Sequence, residues 1–324
     1  MKFLFNLSTS VHTRSSINIG KDTETGEDME NHEIVSNKIK QDNYKVFALL
    51  SHYLNNAPDY IDKEEMDEVV NSGVSSEYAF KLILAAAFGL DVVDNADDKE
   101  LFNKYFDRMV HKLDTNEYYE NAYYKNIKIP SIKIGKSELK YEQYKPFEGF
   151  VCNDILRTEE GRQIPQIGFF DTEFRFPAVL ENDRIWMTIT PNEIETIREP
   201  IDQAFGHVLT FGLGLGYYAY MVSEKENVES VTIVDLNKDV IELFQKHVLP
   251  QFKHGHKINV IQADALEFAK AHLSEGKYDF VFTDLWHDVS DGMDMYLKMK
   301  EIEKQSRPDT VFTYWIEKSI LCYL

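Results

Sequence analysis

The sequence of 324 residues predicts an α/β fold, in which a doubly wound, mostly parallel β-sheet follows a β-rich segment and an α-helical amino-terminal domain. Between residues 208 and 317, short apolar runs alternate with helix-compatible segments, which is typical of parallel sheets. The first run enters a glycine-rich turn, and each of the next three ends in an aspartate. Apolar residues at helical spacing between residues 34 and 113 predict the helical domain.

The amino-terminal part, residues 1–125, divides into a polar arm and a set of helices. Residues 8–30 are rich in Ser, Thr, Asn, Gly and acidic residues and lack apolar periodicity, which predicts a mobile segment. The apolar spacing from Ile34 to Leu54 approximates a helix that Pro58 ends. Further helices are predicted at Lys63–Val70, at Ser76–Phe88 and after an Asn95 cap as far as Leu113.

The connecting region, residues 126–189, is predicted to be β-rich. Ile127–Ile134 alternates between apolar and polar residues around Pro130, which is typical of an edge strand or a hairpin. Further strands are predicted at Phe147–Cys152, Gln166–Phe170, Phe174–Val179 and Arg184–Thr188.

Residues 190–324 are predicted to form the parallel sheet, and a helix opens them. Thr190 is placed to cap this helix, and Pro191 occupies its first position. Glu193 and Glu195 fall in its first turns, where acids favour a helix start. Two interpretations stay open for these acids: they favour the helix start, or one of them touches a substrate.

The glycine-rich turn predicts a nucleotide-type ligand. The apolar run Val208–Phe211 leads into Gly212, Gly214 and Gly216, and a helix-compatible segment follows at once. Glycines at alternate positions allow a sharp turn, and they bring backbone N–H groups close to a ligand at the start of a helix. The dinucleotide pattern G-x-G-x-x-G needs glycine where this chain has Tyr217, which argues against a nicotinamide-dependent dehydrogenase.

Three acids follow the next three predicted strands. Asp235 lies about 20 residues past the glycines, where a carboxylate can accept hydrogen bonds from ribose hydroxyls. Asp264 ends the third run and is placed to meet an adenine amino group, and Asp284 ends the fourth. Since parallel strands end at one edge of a sheet, we expect all three acids to line one crevice.

In combination and in this order, these motifs resemble the class I S-adenosylmethionine-dependent methyltransferases, most closely their spermidine-synthase-like branch. The resemblance covers residues from about 190 to 317 and extends weakly back to about residue 165. It implies a Rossmann-like fold of the class I methyltransferase type and S-adenosylmethionine as the cofactor. The motifs that carry it are Phe211–Gly216, Val234–Asp235, Gln262–Ala265 and Tyr278–Asp284.

The resemblance also implies roles for individual residues. The glycines would line the methionine and ribose, Asp235 would hold the ribose hydroxyls, Asp264 with Ala265 would meet the adenine, and Asp284 would face the reacting end. The residues expected to bind the cofactor are Gly212, Gly214, Gly216, Tyr217, Asp235, Leu236, Asp264, Ala265 and Asp284. Tyr217 and Tyr218 would cover the cofactor from the helix start.

Three departures from the family pattern bear on the chemistry. Thr210 stands where the family usually has an acid that helps to hold the methionine amino group. Leu215 replaces the acid that aminopropyltransferases carry in the glycine loop, and Asp284–Asp288 replaces their Asp-Ser-x-Asp-Pro segment. The last two differences favour methyl transfer over aminopropyl transfer.

The extent of the sheet is also an expectation. A helix at Met293–Lys304 and a fifth parallel strand at Thr310–Glu317 are predicted. Residues 318–324 are too few for the antiparallel pair that ends the family's seven-stranded sheet. Either the β-rich region completes the sheet or the sheet stays short.

The catalytic expectation centres on Asp284, His287 and Asp288. Methyl transfer from a sulfonium mainly needs a positioned nucleophile, and it needs a base only when the acceptor is protonated. His287 would accept the proton and Asp288 would orient it, although a packed or solvent-facing His287 is the alternative. Trp286 would form a cation–π wall or serve packing alone.

Composition narrows the partners. A net charge of −20 disfavours nucleic acid and anionic membranes and suits a cationic or neutral small molecule, although acidity also serves solubility. Cys152 and Cys322 indicate a reducing, cytoplasmic setting without a disulfide framework, and no metal site is predicted. A homodimer is left open.

The predicted function is therefore S-adenosylmethionine-dependent methylation of a small, cationic or amine-bearing molecule. The alternatives are a spermidine-synthase-like aminopropyltransferase and a non-catalytic nucleotide-binding scaffold.

Overall fold

The computed structural model describes the backbone of residues 26–324 and the side chains from residue 35 onward. The helices are α1 (Gly26–Asn56), α2 (Lys63–Val70), α3 (Ser76–Ala87), α4 (Ala96–Met109), α5 (Thr115–Tyr119), α6 (Ala122–Asn126), α7 (Pro191–Thr196), α8 (Arg198–Gln203), α9 (Tyr217–Ser223), α10 (Lys238–Leu243), α11 (Ala265–His272), α12 (Val289–Glu303) and α13 (Glu317–Ile320). The strands are β1 (Val110–Lys112), β2 (Ile132–Ile134), β3 (Ser137–Tyr144), β4 (Phe150–Arg157), β5 (Gln163–Phe169), β6 (Phe174–Glu181), β7 (Arg184–Thr188), β8 (Gly206–Phe211), β9 (Val228–Asp235), β10 (Ile258–Gln262), β11 (Phe280–Thr283) and β12 (Val311–Tyr314). None of the described helices combines the length and apolar character needed to cross a bilayer.

The amino-terminal helices begin earlier than predicted. Residues 8–25 of the predicted mobile arm lie outside the described part, but residues 26–30 already belong to α1. The predicted Asn95 cap of α4 is present, because its side-chain oxygen accepts hydrogen bonds from the backbone of Asp97 and Asp98. Polar side chains at such a position replace the intrahelical partners that the first turn lacks.

The helical core is completed by strands from the middle region. Phe80 of α3 stacks on Phe169 of β5 with ring centroids 4.1 Å apart. Strand β1 pairs in parallel with β5, which pairs in turn with β4. Tyr118 and Tyr123, which precede residue 125, instead belong to the larger core around the parallel sheet. The packing therefore interleaves the predicted first and second regions.

Four antiparallel strands, in the order β2-β3-β6-β7, form a separate sheet beside the parallel one. Only residues 132–134 of the predicted Ile127–Ile134 segment are a strand, and β3 was not predicted. The β6–β7 turn uses Asn182 and Asp183, which both have positive φ. This tight turn fixes where β7 runs relative to the parallel sheet.

The predicted doubly wound parallel sheet is confirmed. Its five strands are all parallel and follow the order β10-β9-β8-β11-β12. The strand order reverses between β8 and β11, and such a reversal opens a crevice at the carboxyl ends of the strands. In the described residues the sheet stays at five strands, because the antiparallel strands form their own sheet.

Candidate active site

A cleft of about 470 Å³ lies at the reversal point of the parallel sheet. The predicted residues that line it are Gly212, Gly214, Asp235, Leu236, Asp264, Ala265, Asp284 and His287. They come from segments more than 70 residues apart in sequence, between 212 and 287. The rule that parallel strand ends meet at one edge therefore placed them together.

The glycine turn forms the floor of the cleft. Gly212 has φ +98°, and a Cβ atom there would lie 1.9 Å from the backbone oxygen of Asp284. Gly214 has φ +50°, and a Cβ atom there would lie 1.8 Å from the sulfur of Met187. Both the backbone conformation and the close approach therefore require glycine at these positions.

Asp235 ties the glycine turn to the end of β9. Its carboxylate accepts hydrogen bonds from the backbone of Leu213 at 2.9 Å and of Asn237 at 2.7 Å. Burial raises its pKa despite these bonds. The backbone N–H of Leu236 also acts on this carboxylate. A carboxylate offers about four acceptor positions, so one remains for a hydroxyl group of a ligand in the cleft.

The end of β10 contributes Asp264 and the start of α11 to the cleft. Asp264 caps α11, and its Oδ1 atom accepts a hydrogen bond from the backbone of Glu267 at 3.0 Å. Asp264 and the adjoining Ala265 both line the cleft. Leu236 lies at the rim, where 66% of its surface is exposed.

Gly216 and Tyr217 were predicted to contact the cofactor, but neither is among the described residues that line the cleft. Gly216 caps α9 with φ +73° and packs on Phe244. Tyr217 is buried on the far side of α9, where its hydroxyl accepts a hydrogen bond from Asn121 at 2.7 Å. Tyr218 lies against Phe282 instead of covering a cofactor. Because α9 starts at once after Gly216, the helix turns these side chains away from the crevice.

Tyr217 lines a second cavity, of about 360 Å³, between α5, α7, α8 and α9. Glu195 also lines this cavity and forms two hydrogen bonds with Arg198, at 2.6 and 2.8 Å. Glu193 lies on the same helix but lines the cleft. Helix α7 thus separates the two cavities.

Asp288 does not orient His287, which corrects its predicted catalytic role. Its carboxylate caps α12 by accepting a hydrogen bond from the backbone of Ser290 at 2.6 Å. The imidazole Nδ1 of His287 instead lies 2.8 Å from a carboxylate oxygen of Asp291. This contact raises the pKa of His287. The i, i+4 spacing of the helix start selects Asp291 over the adjacent acid.

Two carboxyl groups that line the cleft, those of Glu193 and Asp284, influence one another. Glu193 is 4% exposed, and burial, followed by the charge of Asp284, raises its pKa well above the ordinary value. Asp284 is surrounded by protein but stays partly open to the cleft. Burial raises its pKa to about 7, while His287 lowers it and Asp235 raises it further. Near neutral pH this pair therefore retains a proton.

Aromatic residues that sequence reasoning missed form the walls. Trp186 of β7 is 44% exposed, and its ring meets the His287 ring edge-on with centroids 4.1 Å apart. Met187 also reaches the cleft, and its sulfur accepts a hydrogen bond from the backbone of Leu215 at 3.3 Å. No local pattern indicates that the β6–β7 hairpin crosses the crevice.

Trp315 is a further wall residue, and one that a signal could have identified. It directly follows β12, so the strand-end rule that selected the three aspartates also selects this position. Its indole Nε1 donates a hydrogen bond to Thr196 of α7 at 2.8 Å. The next residue, Ile316, has φ +46°, a strained conformation for a β-branched residue. Strain thus accompanies the placement of Trp315.

Most of the charged residues that line the cleft are acidic. Its lining includes the carboxyl groups of Glu181, Glu193, Asp235, Asp264 and Asp284, and His287 is its titratable base. No Lys or Arg is among the described lining residues. A cationic ligand is therefore favoured electrostatically. Among the described residues, no cluster of three or more His, Cys, Asp or Glu is arranged to hold a metal ion.

Comparisons with known proteins bear on the same part of the chain. Residues 200–321 match the family model described as the spermine/spermidine synthase domain. Together with the strand order, this match gives the region a class I methyltransferase-like fold with a spermidine-synthase-like segment. No curated protein sequence matches the chain.

A crystal structure from Klebsiella pneumoniae, provisionally called an O-methyltransferase, is also similar in part. The sequence identity is 14% and the TM-score 0.27, over 33% of this chain. The chain spans about half of that protein, 47% of its length. A likeness at this level carries no argument about function.

Proposed function

We propose that this protein is a transferase that moves an alkyl group from an S-adenosyl sulfonium compound to an amine. The observation that carries the proposal is the cleft at the reversal point, where a glycine floor adjoins three strand-end aspartates. Its described lining contains five acidic residues and no Lys or Arg. Such a crevice is where open α/β sheets bind nucleotide-type ligands.

The residues of the cleft fit an adenosyl donor. The turn at Gly212 and Gly214 admits no Cβ atom, so its backbone is available for close approach by a ligand. Asp235 retains an acceptor position for a ribose hydroxyl, and Asp264 retains an oxygen for an adenine amino group. When bound, the donor supplies an electrophilic carbon next to its positively charged sulfur.

The protein's own contribution is placement, water exclusion and proton handling. Trp186, Trp286 and Trp315 line the cleft with apolar surface, which limits water around the reacting groups. Asp284 and His287 lie at the same end of the cleft and can take up a proton that an amine gives up. Few other groups are required for in-line displacement.

Methyl transfer from S-adenosylmethionine to a small cationic or amine-bearing molecule is the first candidate reaction. It follows from Leu215 and the Asp284–Asp288 segment, which depart from the aminopropyltransferase pattern.

Aminopropyl transfer from decarboxylated S-adenosylmethionine is the second candidate, and two observations favour it. The family match over residues 200–321 is to the spermine/spermidine synthase domain. The described lining of the cleft also offers no Lys or Arg to the carboxylate that only S-adenosylmethionine carries. Backbone N–H groups of the glycine turn would have to bind that carboxylate instead.

The experiment is calorimetry of the purified protein with both donors, followed by mass spectrometry of products from a panel of amines. A product heavier by CH2 establishes methyl transfer, and one heavier by C3H7N establishes aminopropyl transfer. Binding of a donor without any product supports the non-catalytic scaffold. If neither donor binds, the proposal is overturned.

The proposed setting is the cytoplasm, supported by the free thiols of Cys152 and Cys322. The proposed partner is a small molecule, because a net charge of −20 opposes binding to nucleic acid or an anionic membrane.

A further inference from the structure

We infer that Glu193, together with Asp284, binds the ammonium group of the acceptor amine and takes up its proton. This inference rests on the proposed function, because it assigns the acceptor end of the same cleft. Sequence motifs point to the strand-end aspartates, whereas Glu193 lies on α7, upstream of the first parallel strand.

The first observation is the isolation of the Glu193 carboxyl group. It is almost fully buried yet lines the cleft. Within the described part of the chain, no hydrogen-bond donor or cationic side chain pairs with it. A buried carboxylate without a partner is costly, so such groups are normally paired or protonated. Glu193 therefore has an open place for a charged donor, and this place faces the cleft.

The second observation is the kind of group that surrounds it. Asp284 is the charged neighbour that acts on Glu193, and His287 and Asp235 act in turn on Asp284. Tyr144 of β3 is the other titratable group near Glu193, and its hydroxyl is hydrogen-bonded to Thr190. Two like charges that repel one another in a buried site cannot both ionise freely. An ammonium group between them would allow both carboxyl groups to ionise.

The third observation is the rigidity of the support. Thr196 of α7 accepts the hydrogen bond from Trp315, and the residue before Thr190 is held by the hydroxyl of Tyr124, which donates to the backbone oxygen of Ile189. Pro191 fixes the first turn of the helix. Glu193 is thus held in place before any ligand arrives, which lowers the cost of ordering it on binding.

The proton step balances without a further reactant. An ammonium group R–NH3+ bound at the pair gives one proton to a carboxylate, which becomes a carboxylic acid. The amine R–NH2 keeps the electron pair of the broken N–H bond and becomes nucleophilic. A carboxyl group whose pKa is raised is a better base for this transfer than an ordinary glutamate.

The test measures binding rather than turnover. Diaminobutane with terminal amino groups is the cationic probe, and the corresponding butanediol is its uncharged counterpart. Calorimetry in buffers of different ionisation enthalpy reports both the affinity and the protons released on binding. The wild-type protein should bind the diamine with release of protons to the buffer, and should not bind the diol.

Glu193→Gln should weaken diamine binding by at least about tenfold, as expected for loss of a hydrogen bond to a charged group. It should also lower the number of protons released, because only Asp284 then remains to ionise. Glu195→Gln is the matched control, since Glu195 lies two residues away, pairs with Arg198 and faces the second cavity. It should leave the affinity within about twofold, because exposed ion pairs contribute little. Thermal unfolding checks that both variants are folded.

The inference is overturned if Glu193→Gln binds the diamine like the wild type, if the variant releases as many protons as the wild type, or if the wild type fails to discriminate the diamine from the diol. Donor binding is measured separately, so the two failures are distinguishable. Loss of donor binding alone rejects the proposed transfer, and failure of amine binding alone rejects the role of Glu193.

Discussion

The two cavities that flank α7 show how one helix can serve two different environments. On the cleft side, Glu193 is buried and lacks a cationic partner among the described residues. On the other side, Glu195 is paired with Arg198 at the mouth of the second cavity. The residue type and the helix are the same, so the difference lies in what completes the charge. A paired acid stabilises the fold, whereas an unpaired acid beside an open cleft leaves its charge for a ligand.

The two cavities also differ in the groups that line them. The cleft is floored by the backbone of a glycine turn held by Asp235. The second cavity is walled by side chains such as Tyr217, whose hydroxyl is already bonded to Asn121. Substitutions on the cleft side should therefore change ligand binding, and those on the other side should change stability alone.

The largest effect is expected from Gly212→Ala. Its new methyl group would collide with the backbone oxygen of Asp284, so the turn would have to move. Donor affinity measured by calorimetry should fall by roughly 100-fold or more, which corresponds to about 3 kcal/mol. Gly73→Ala is the matched control, because Gly73 has a similar φ of +102° with nothing within 4 Å of the added atom. It should cost about 1–2 kcal/mol of stability and leave donor binding intact.

If Gly212→Ala binds the donor as the wild type does, the cleft is not the donor site, and the contrast between the two cavities loses its functional meaning.

A pH dependence of stability is the next largest effect. Asp284 has an ordinary pKa of 3.8 that burial raises to about 7 in the folded protein. Its contribution to stability is complete below the ordinary value and is lost as the pH rises through the folded value. Urea unfolding should show a loss of a few kcal/mol between about pH 4 and pH 8, at about 1.4 kcal/mol per unit of pKa, reduced by the opening to the cleft.

Asp284→Asn should make this profile less steep without removing its slope, because the raised pKa of Glu193 contributes a loss of the same sign. The difference between the two curves cancels the general repulsion of an acidic protein. If the wild-type and Asp284→Asn profiles superimpose, the Asp284 carboxyl group titrates as it does in the unfolded chain, and burial in the cleft does not raise its pKa.

The smallest effect is expected in the second cavity. Tyr217→Phe removes the acceptor of the Asn121 hydrogen bond and should cost about 1 kcal/mol in urea unfolding, without changing donor affinity. Tyr220→Phe is the control, since Tyr220 accepts a comparable bond from Asn126 at 2.9 Å on the same helix. If donor affinity falls for Tyr217→Phe but not for Tyr220→Phe, the second cavity contributes to donor binding, and the expected difference between the two cavities is contradicted.

The parallel sheet was predictable because its strands are short apolar runs that end in characteristic residues. Asp235, Asp264 and Asp284 were located in the cleft by the rule for strand ends alone. Tyr217 was misplaced because the rotational phase of α9 depends on where the turn ends. Asp291 was missed in favour of Asp288 because the capping geometry of α12 decides which acid reaches His287.

Other parts of the site have no local signal. Trp186 and Met187 reach the cleft only because the antiparallel sheet lies beside the parallel one. The burial of Glu193 likewise depends on the tertiary packing of α7, since its sequence position suits a helix start equally well. These contacts depend on the relative placement of the two sheets, which periodicity does not encode.

The β6–β7 hairpin and α7 supply cleft residues that lie outside the segment matched by the family model. Residues 200–321, which match the family model, leave out Trp186, Met187 and Glu193. That segment by itself would therefore contain the glycine turn that floors the cleft, but it would lack the wall formed by the β6–β7 hairpin and α7. If the proposed function holds, exchange of the upstream hairpin and α7 between related chains would alter the choice of acceptor and would preserve the glycine turn and the strand-end aspartates.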